Sequence, residues 1–178
     1  MRALQVQVFF YICILRLTKA LPGKTTFTKH LKLTTMASVD PYLMFDGNCE
    51  EAFDFYRSVL GGEFLNKSRY KEAPANDMPM DPSDAEKIMH VALPVGNNNM
   101  LMGSDQPKSY GPVSFGNGHH ITFSPDSEEE ATRIFNGLAA GGEVIMPLEK
   151  TFWGAYYGSL KDKFGVQWMV NYQLDQNK

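Results

Sequence analysis

The stretch Glu50–Glu63, EEAFDFYRSVLGGE, returns in altered form at Glu129–Glu143, EEATRIFNGLAAGGE. Both open on Glu-Glu-Ala and close on Gly-Gly-Glu. Apolar residues recur at Ala52, Phe53, Tyr56, Val59 and Leu60 in the first, and at Ala131, Ile134, Phe135 and Leu138 in the second. That spacing predicts two amphipathic helices. Asn48 with Glu51, and Ser127 with Glu130, have capping-box spacing. The glycine pairs 61–62 and 141–142 allow the left-handed turn that ends a helix.

Working outward, a short apolar run precedes each helix, Pro41–Phe45 and His120–Phe123, and reads as a strand. Three strand-like segments follow each helix. They are Glu63–Tyr70, Lys87–Pro94 and Asn99–Ser104, then Glu143–Leu148, Ala155–Leu160 and Val166–Tyr172. The order β-α-β-β-β therefore occurs twice. Leu93/Leu160 and Met102/Met169 match at a smaller offset than the helices do, which puts the surplus length of the first half in the proline-bearing loop Lys71–Glu86. The expected fold is α+β, two βαβββ modules forming a curved mixed sheet around a cavity.

The chain has 178 residues, 43% hydrophobic and 21% charged, ordinary for a globular protein with a full core. Residues 1–35 hold six basic groups and no acid, so residues 36–178 set 11 basic against 20 acidic groups, a net of −9. Such a domain repels phosphate backbones and anionic lipid, which argues against nucleic-acid and membrane partners. Two cysteines, Cys13 and Cys49, make no disulfide framework, and a reducing, cytoplasmic setting is the default. The apolar run Val6–Leu15 is shorter than the ~20 residues that span a bilayer. Residues 1–35 read as an N-terminal extension, either a targeting segment or an upstream stretch before a start at Met36. The latter reading is favoured, and the expected domain is 36–178.

The motifs YLMFDGNCEEAFDFYRSVLGGEF (42–64), KIMHVALPVG (87–96), LMGSD (101–105) and TFWGAYYGSLKDKFGVQWMVNY (151–172) resemble the PhnB-like branch of the vicinal oxygen chelate superfamily. That superfamily includes glyoxalase I, extradiol dioxygenases and the bleomycin- and fosfomycin-resistance proteins. The resemblance implies a cavity within a curled sheet and a homodimer, sometimes formed by module exchange. Such relatives often carry the label 3-demethylubiquinone-9 3-methyltransferase. The sequence has no glycine-rich strand-to-helix loop to hold S-adenosylmethionine, so that activity is not expected.

Superfamily enzymes hold a divalent metal on the first and last strands of each module. Carried over residue by residue, those positions are Pro41, Met102, His120 and Met169. Only His120 is a ligand type for Zn, Fe, Ni or Mn, so neither a metal nor another cofactor is expected. His120 and His90 are the candidate acid-base residues. A cavity lined by Leu43, Met100, Met102, Thr122, Gln167, Met169 and Asn171, with Trp153 and Tyr157 at hand for a planar ligand, would be mostly apolar with a few hydrogen-bonding groups. It has no Arg/Lys cluster for a phosphonate. The expected function is small-molecule binding of the resistance-protein type. The alternative is an enzyme of the same superfamily, metal-dependent or metal-free, and the sequence does not choose between them.

Overall fold

The computed structural model describes residues 38–74, 81–96 and 99–174. The expectations for residues 1–35 lie outside them, as does the centre of the loop 71–86. In chain order the elements are β1 (Tyr42–Phe45), α1 (Cys49–Leu60), β2 (Asn66–Arg69), β3 (Ile88–Val95), β4 (Asn99–Asp105), β5 (Ile121–Phe123), α2 (Glu128–Ala139), β6 (Glu143–Lys150), β7 (Ala155–Lys161) and β8 (Gln167–Gln173). Each module folds into its own four-stranded mixed sheet, in the orders β1-β4-β3-β2 and β5-β8-β7-β6. In each, the first strand runs parallel to the last and the other pairings are antiparallel.

The duplication is written into the register. Val91↔Gly103, Ala92↔Met102 and Leu93↔Leu101 on β3 and β4 become Gly158↔Val170, Ser159↔Met169 and Leu160↔Trp168 on β7 and β8. Tyr42↔Met102 becomes Thr122↔Met169, and Asn66↔Ala92 becomes Met146↔Ser159. The step in offset therefore falls between β2 and β3, where the proline-bearing loop was expected.

Both helices lay their apolar faces on the sheets. Cys49, Ala52, Phe53, Tyr56 and Val59 of α1 are buried, as are Ala131, Ile134, Phe135 and Leu138 of α2. One continuous core takes in both helices and the covered faces of both sheets. A Cβ on Gly137 would stand 2.7 Å from Cγ1 of Val59, so the helices meet where only a hydrogen fits.

The helix starts differ from the expected pair of capping boxes. Ser127 Oγ accepts from the Glu130 N–H at 3.0 Å, but the Glu130 carboxylate takes the N–H of Asp126 instead of Ser127. Asn48 makes no side-chain cap. Its place is taken from across the fold. The buried Asp105, at the end of β4, accepts the N–H groups of Gly47 and Cys49 on one oxygen and of Ile88 on the other, each at 2.9 Å. A carboxylate with three backbone donors ties α1 to β3 and β4 more firmly than a local asparagine would. Past the helix ends Gly61, Gly62 and Gly141 have positive φ, as expected, whereas Gly142 does not.

A second buried carboxylate joins the modules. Asp162, between β7 and β8, accepts from Tyr56 Oη and Trp168 Nε1, both at 2.8 Å, and from the N–H groups of Phe164 and Val166. Arg133 of α2 donates to the Val59 carbonyl at the end of α1.

Candidate functional site

Strand alternation sorts the candidate residues into two groups. On β4, Leu101 is buried, and a Cβ on Gly103 would stand 2.6 Å from the Phe53 ring, so these two face α1. Met100, Met102 and Ser104 therefore point to the uncovered face. Cross-strand partners share a face, and Met102 pairs with Tyr42 while Leu43 pairs with Gly103. Leu43 is accordingly a core residue, only 4% exposed, and not a cavity residue as expected. Its strand neighbours Tyr42 and Met44 occupy the uncovered face. On β8, Trp168 and Val170 are buried against the helices, and Met169 and Asn171 lie on the opposite face, as alternation predicts. Gln167 shares that face but is 7% exposed, and its amide donates to the Gly116 carbonyl at 2.9 Å.

Where the two modules approach each other, the β1 end of the first and β5 of the second bound a cleft of about 480 Å³. Pro41, Leu60, Val95, Leu101, Ile121 and Phe123 supply apolar wall, together with Met100. Asp40, Asn99, His120, Thr122 and Ser124 bring polar groups. Of the eleven candidate site residues, Met100, His120 and Thr122 come together here. Met102, Met169 and Asn171 lie on the uncovered sheet faces outside it, so the expected single hollow holding both methionines is not what lines the cleft. Trp153, in the β6–β7 connection, is half-exposed and packs at 6.0 Å from Tyr157, again outside the cleft.

His90 has a partner that the sequence reading did not supply. Its Nδ1 lies 3.3 Å from Tyr42 Oη, and the two rings stack at 5.8 Å with an interplanar angle of 24°. These residues are 48 positions apart and sit on strands that do not touch, separated by β4. Asp40 was also missed, for it precedes β1 and matches no motif. Its Oδ1 accepts the Met100 N–H at 2.9 Å, and its Oδ2 accepts from Ser38 Oγ at 2.7 Å. The Ser38 hydroxyl, then the Met100 amide, hold its carboxyl below the usual range, and desolvation opposes them weakly. Cys49 is buried, and burial, reinforced by Asp105 and Glu50, pushes its thiol well above the ordinary value. Position at a helix start does not activate it.

The positions at which the resemblance implies metal ligands do not fit a divalent metal. Pro41 has no side-chain donor, and Met102 and Met169 offer thioethers where Zn, Fe, Ni or Mn takes imidazole, carboxylate or thiolate. Among the described residues, no three His, Cys, Asp or Glu side chains converge on one point. No described helix is long and apolar enough to cross a membrane.

Comparison with known proteins agrees with the doubled fold. Protein YjdN of Escherichia coli strain K12 is 34% identical over 140 residues, spanning 75% of this chain and 93% of YjdN. The crystal structure of protein PA1353 from Pseudomonas aeruginosa is similar at 44% identity and a TM-score of 0.66, covering 79% of this chain and all of that one. A Bacillus cereus PhnB protein, described as a putative 3-demethylubiquinone-9 3-methyltransferase, is similar at 27% identity and a TM-score of 0.61, over 76% of this chain and 99% of its own. The profile of the Glyoxalase/Bleomycin resistance protein/Dioxygenase superfamily matches residues 38–170. With the doubled βαβββ register and that match over most of its length, the chain belongs to the glyoxalase/bleomycin resistance/dioxygenase superfamily.

Proposed function

We propose that this protein binds a small apolar or planar molecule in the cleft between its modules, in the manner of the resistance proteins, with His120 and Thr122 as polar contacts and Met100 as adaptable wall. The observation that carries this reading is the cleft itself. It has a volume in the range of small-molecule pockets, apolar walls, and a few polar groups contributed by both modules. The remaining candidates Met102, Tyr157, Gln167, Met169 and Asn171 are proposed as contacts on the uncovered sheet faces beside it, with Trp153 joining them from the β6–β7 connection.

A second reading, an enzyme, is favoured by one contact. The Tyr42–His90 pair sets an imidazole and a phenol within reach of a proton transfer on the face that holds Met102. A thermal-shift ligand screen followed by assay of the recovered ligand separates the two. Ligands returned unchanged support binding alone, and ligands consumed in a His90-dependent manner overturn it. Stoichiometric metal that disappears in His120→Ala would overturn the metal-free form of both.

We further propose a cytoplasmic homodimer. Support comes from β6, an edge strand whose Val144, Ile145 and Met146 are consecutive, apolar and exposed. Phe152 and Trp153 extend that surface at its end. An exposed apolar edge of this kind is a template for pairing. A second copy of the chain is the occupant proposed for it.

A further inference from the structure

The register that relates Tyr42 to Thr122 also makes Asp40 the repeat counterpart of His120, two residues upstream in each module. Both line the cleft. Asp40 is the only formally charged side chain among the described lining residues, and no Lys or Arg is among them. Its orientation is not left to chance, because the Met100 N–H and the Ser38 hydroxyl each hold one oxygen. A carboxylate oxygen has two lone pairs, so both retain capacity for a further donor. The carboxylate stays ionised, since both hydrogen bonds favour the charged form. The field around it has the same sign, for residues 36–178 carry nine more acids than bases.

On the reading of the cleft as a binding site, we propose that its ligand is an apolar molecule bearing one ammonium group, with the ammonium donating to Asp40 and the hydrocarbon lying against Leu60, Val95, Ile121 and Phe123. A carboxylate or phosphonate of the same shape is repelled by Asp40 and meets no Lys or Arg among the described wall residues. A neutral alcohol keeps the apolar contacts and loses the charge-assisted bond.

The test uses the full chain and three probes of equal length, phenylbutylamine, phenylbutanol and phenylbutanoate, measured by calorimetry and thermal shift. The amine is expected to bind at least about tenfold tighter than the alcohol, the scale of a hydrogen bond to a charged group. The carboxylate is expected to bind weakest. Asp40→Asn keeps an oxygen for the Met100 N–H and should abolish the amine preference while alcohol binding persists. Thr122→Trp, filling the cleft from β5, should weaken all three. Equal affinity for amine and alcohol, or a preference that survives Asp40→Asn, overturns the ammonium assignment and leaves the binding site standing. Failure of all three probes to bind, or binding indifferent to Thr122→Trp, overturns the cleft as the site as well.

Discussion

Tyr56 of α1 donates its hydroxyl to Asp162 of the second module at 2.8 Å, and Trp168 donates to the same oxygen at the same distance. The rings of Tyr56 and Trp168 pack at 5.4 Å around that shared acceptor. Burial, then the charge of Asp162, pushes the Tyr56 phenol far above its ordinary value, so it remains a donor. The contact joins halves of the chain 106 residues apart. Tyr56→Phe keeps the ring and removes the donor, and is expected to cost about 1.5–3 kcal/mol, the range for a hydrogen bond to a charged group. Asp162→Ala leaves four donors without their acceptor and should cost more than Tyr56→Phe. Urea unfolding of the three proteins checks the order.

Gly137 sits in the interior of α2, where Ala is ordinarily better than Gly by roughly 0.8–1.0 kcal/mol. The approach of Val59 reverses that preference. Gly137→Ala is expected to destabilise the fold by about 1–3 kcal/mol through overpacking. Adding Val59→Ala should recover part of the loss. A gain in stability from Gly137→Ala alone would mean that the helices do not meet this closely.

Leu43 and Met102 make a contrasting pair. Leu43→Ala, in the core, should cost about 2–5 kcal/mol by the usual large-to-small scale. Met102→Ala, on the uncovered face, should cost less than about 1 kcal/mol, within the range of partly exposed positions. Chemical denaturation of the two variants reads the difference directly.

Glu50 accepts from Lys67 at 2.9 Å and Arg69 at 2.7 Å. Hydrogen bonds from Lys67, then Arg69, hold its carboxyl below the usual range. A carboxyl with a depressed folded value adds stability above its unfolded value of about 4.3 and loses it as pH falls through the folded value. Glu50→Gln should therefore lower stability near neutrality and converge with the parent in acid. The pair is about a third exposed, so the difference should stay below about 1 kcal/mol. Melting curves across pH give the comparison.

Ile145→Lys places a charge in the middle of the exposed apolar edge. The native mass is expected to be twice the 20.0 kDa chain for the parent and to fall toward one chain for the variant. The melting temperature of the monomer should change little, because the Ile145 side chain is half-exposed within its own chain. Light scattering after size exclusion measures both states.

The fold was legible because its signals are local and repeated. Helix periodicity, Ser127 at a cap and glycine at both helix ends act within a turn of themselves, and a second copy of each removes ambiguity. Strand alternation likewise placed Trp168 and Val170 under the helices and Met169 opposite. The same rule failed for Leu43 only because β1 had not been registered against β4. A shift of one residue exchanges the two faces of a strand, and no local signal at Pro41–Phe45 sets that register.

The sequence by itself determined the doubled module, its elements and its superfamily, because each rests on contacts within a few residues or on the chain's likeness to itself. Only the tertiary structure decided that Asp105 caps α1, that Asp162 joins the halves, and that Asp40 shares a cleft with His120. These meetings bring together groups many positions apart through the close packing of two sheets and two helices. Such packing depends on the simultaneous fit of all the buried side chains, and no short stretch of sequence carries that information alone.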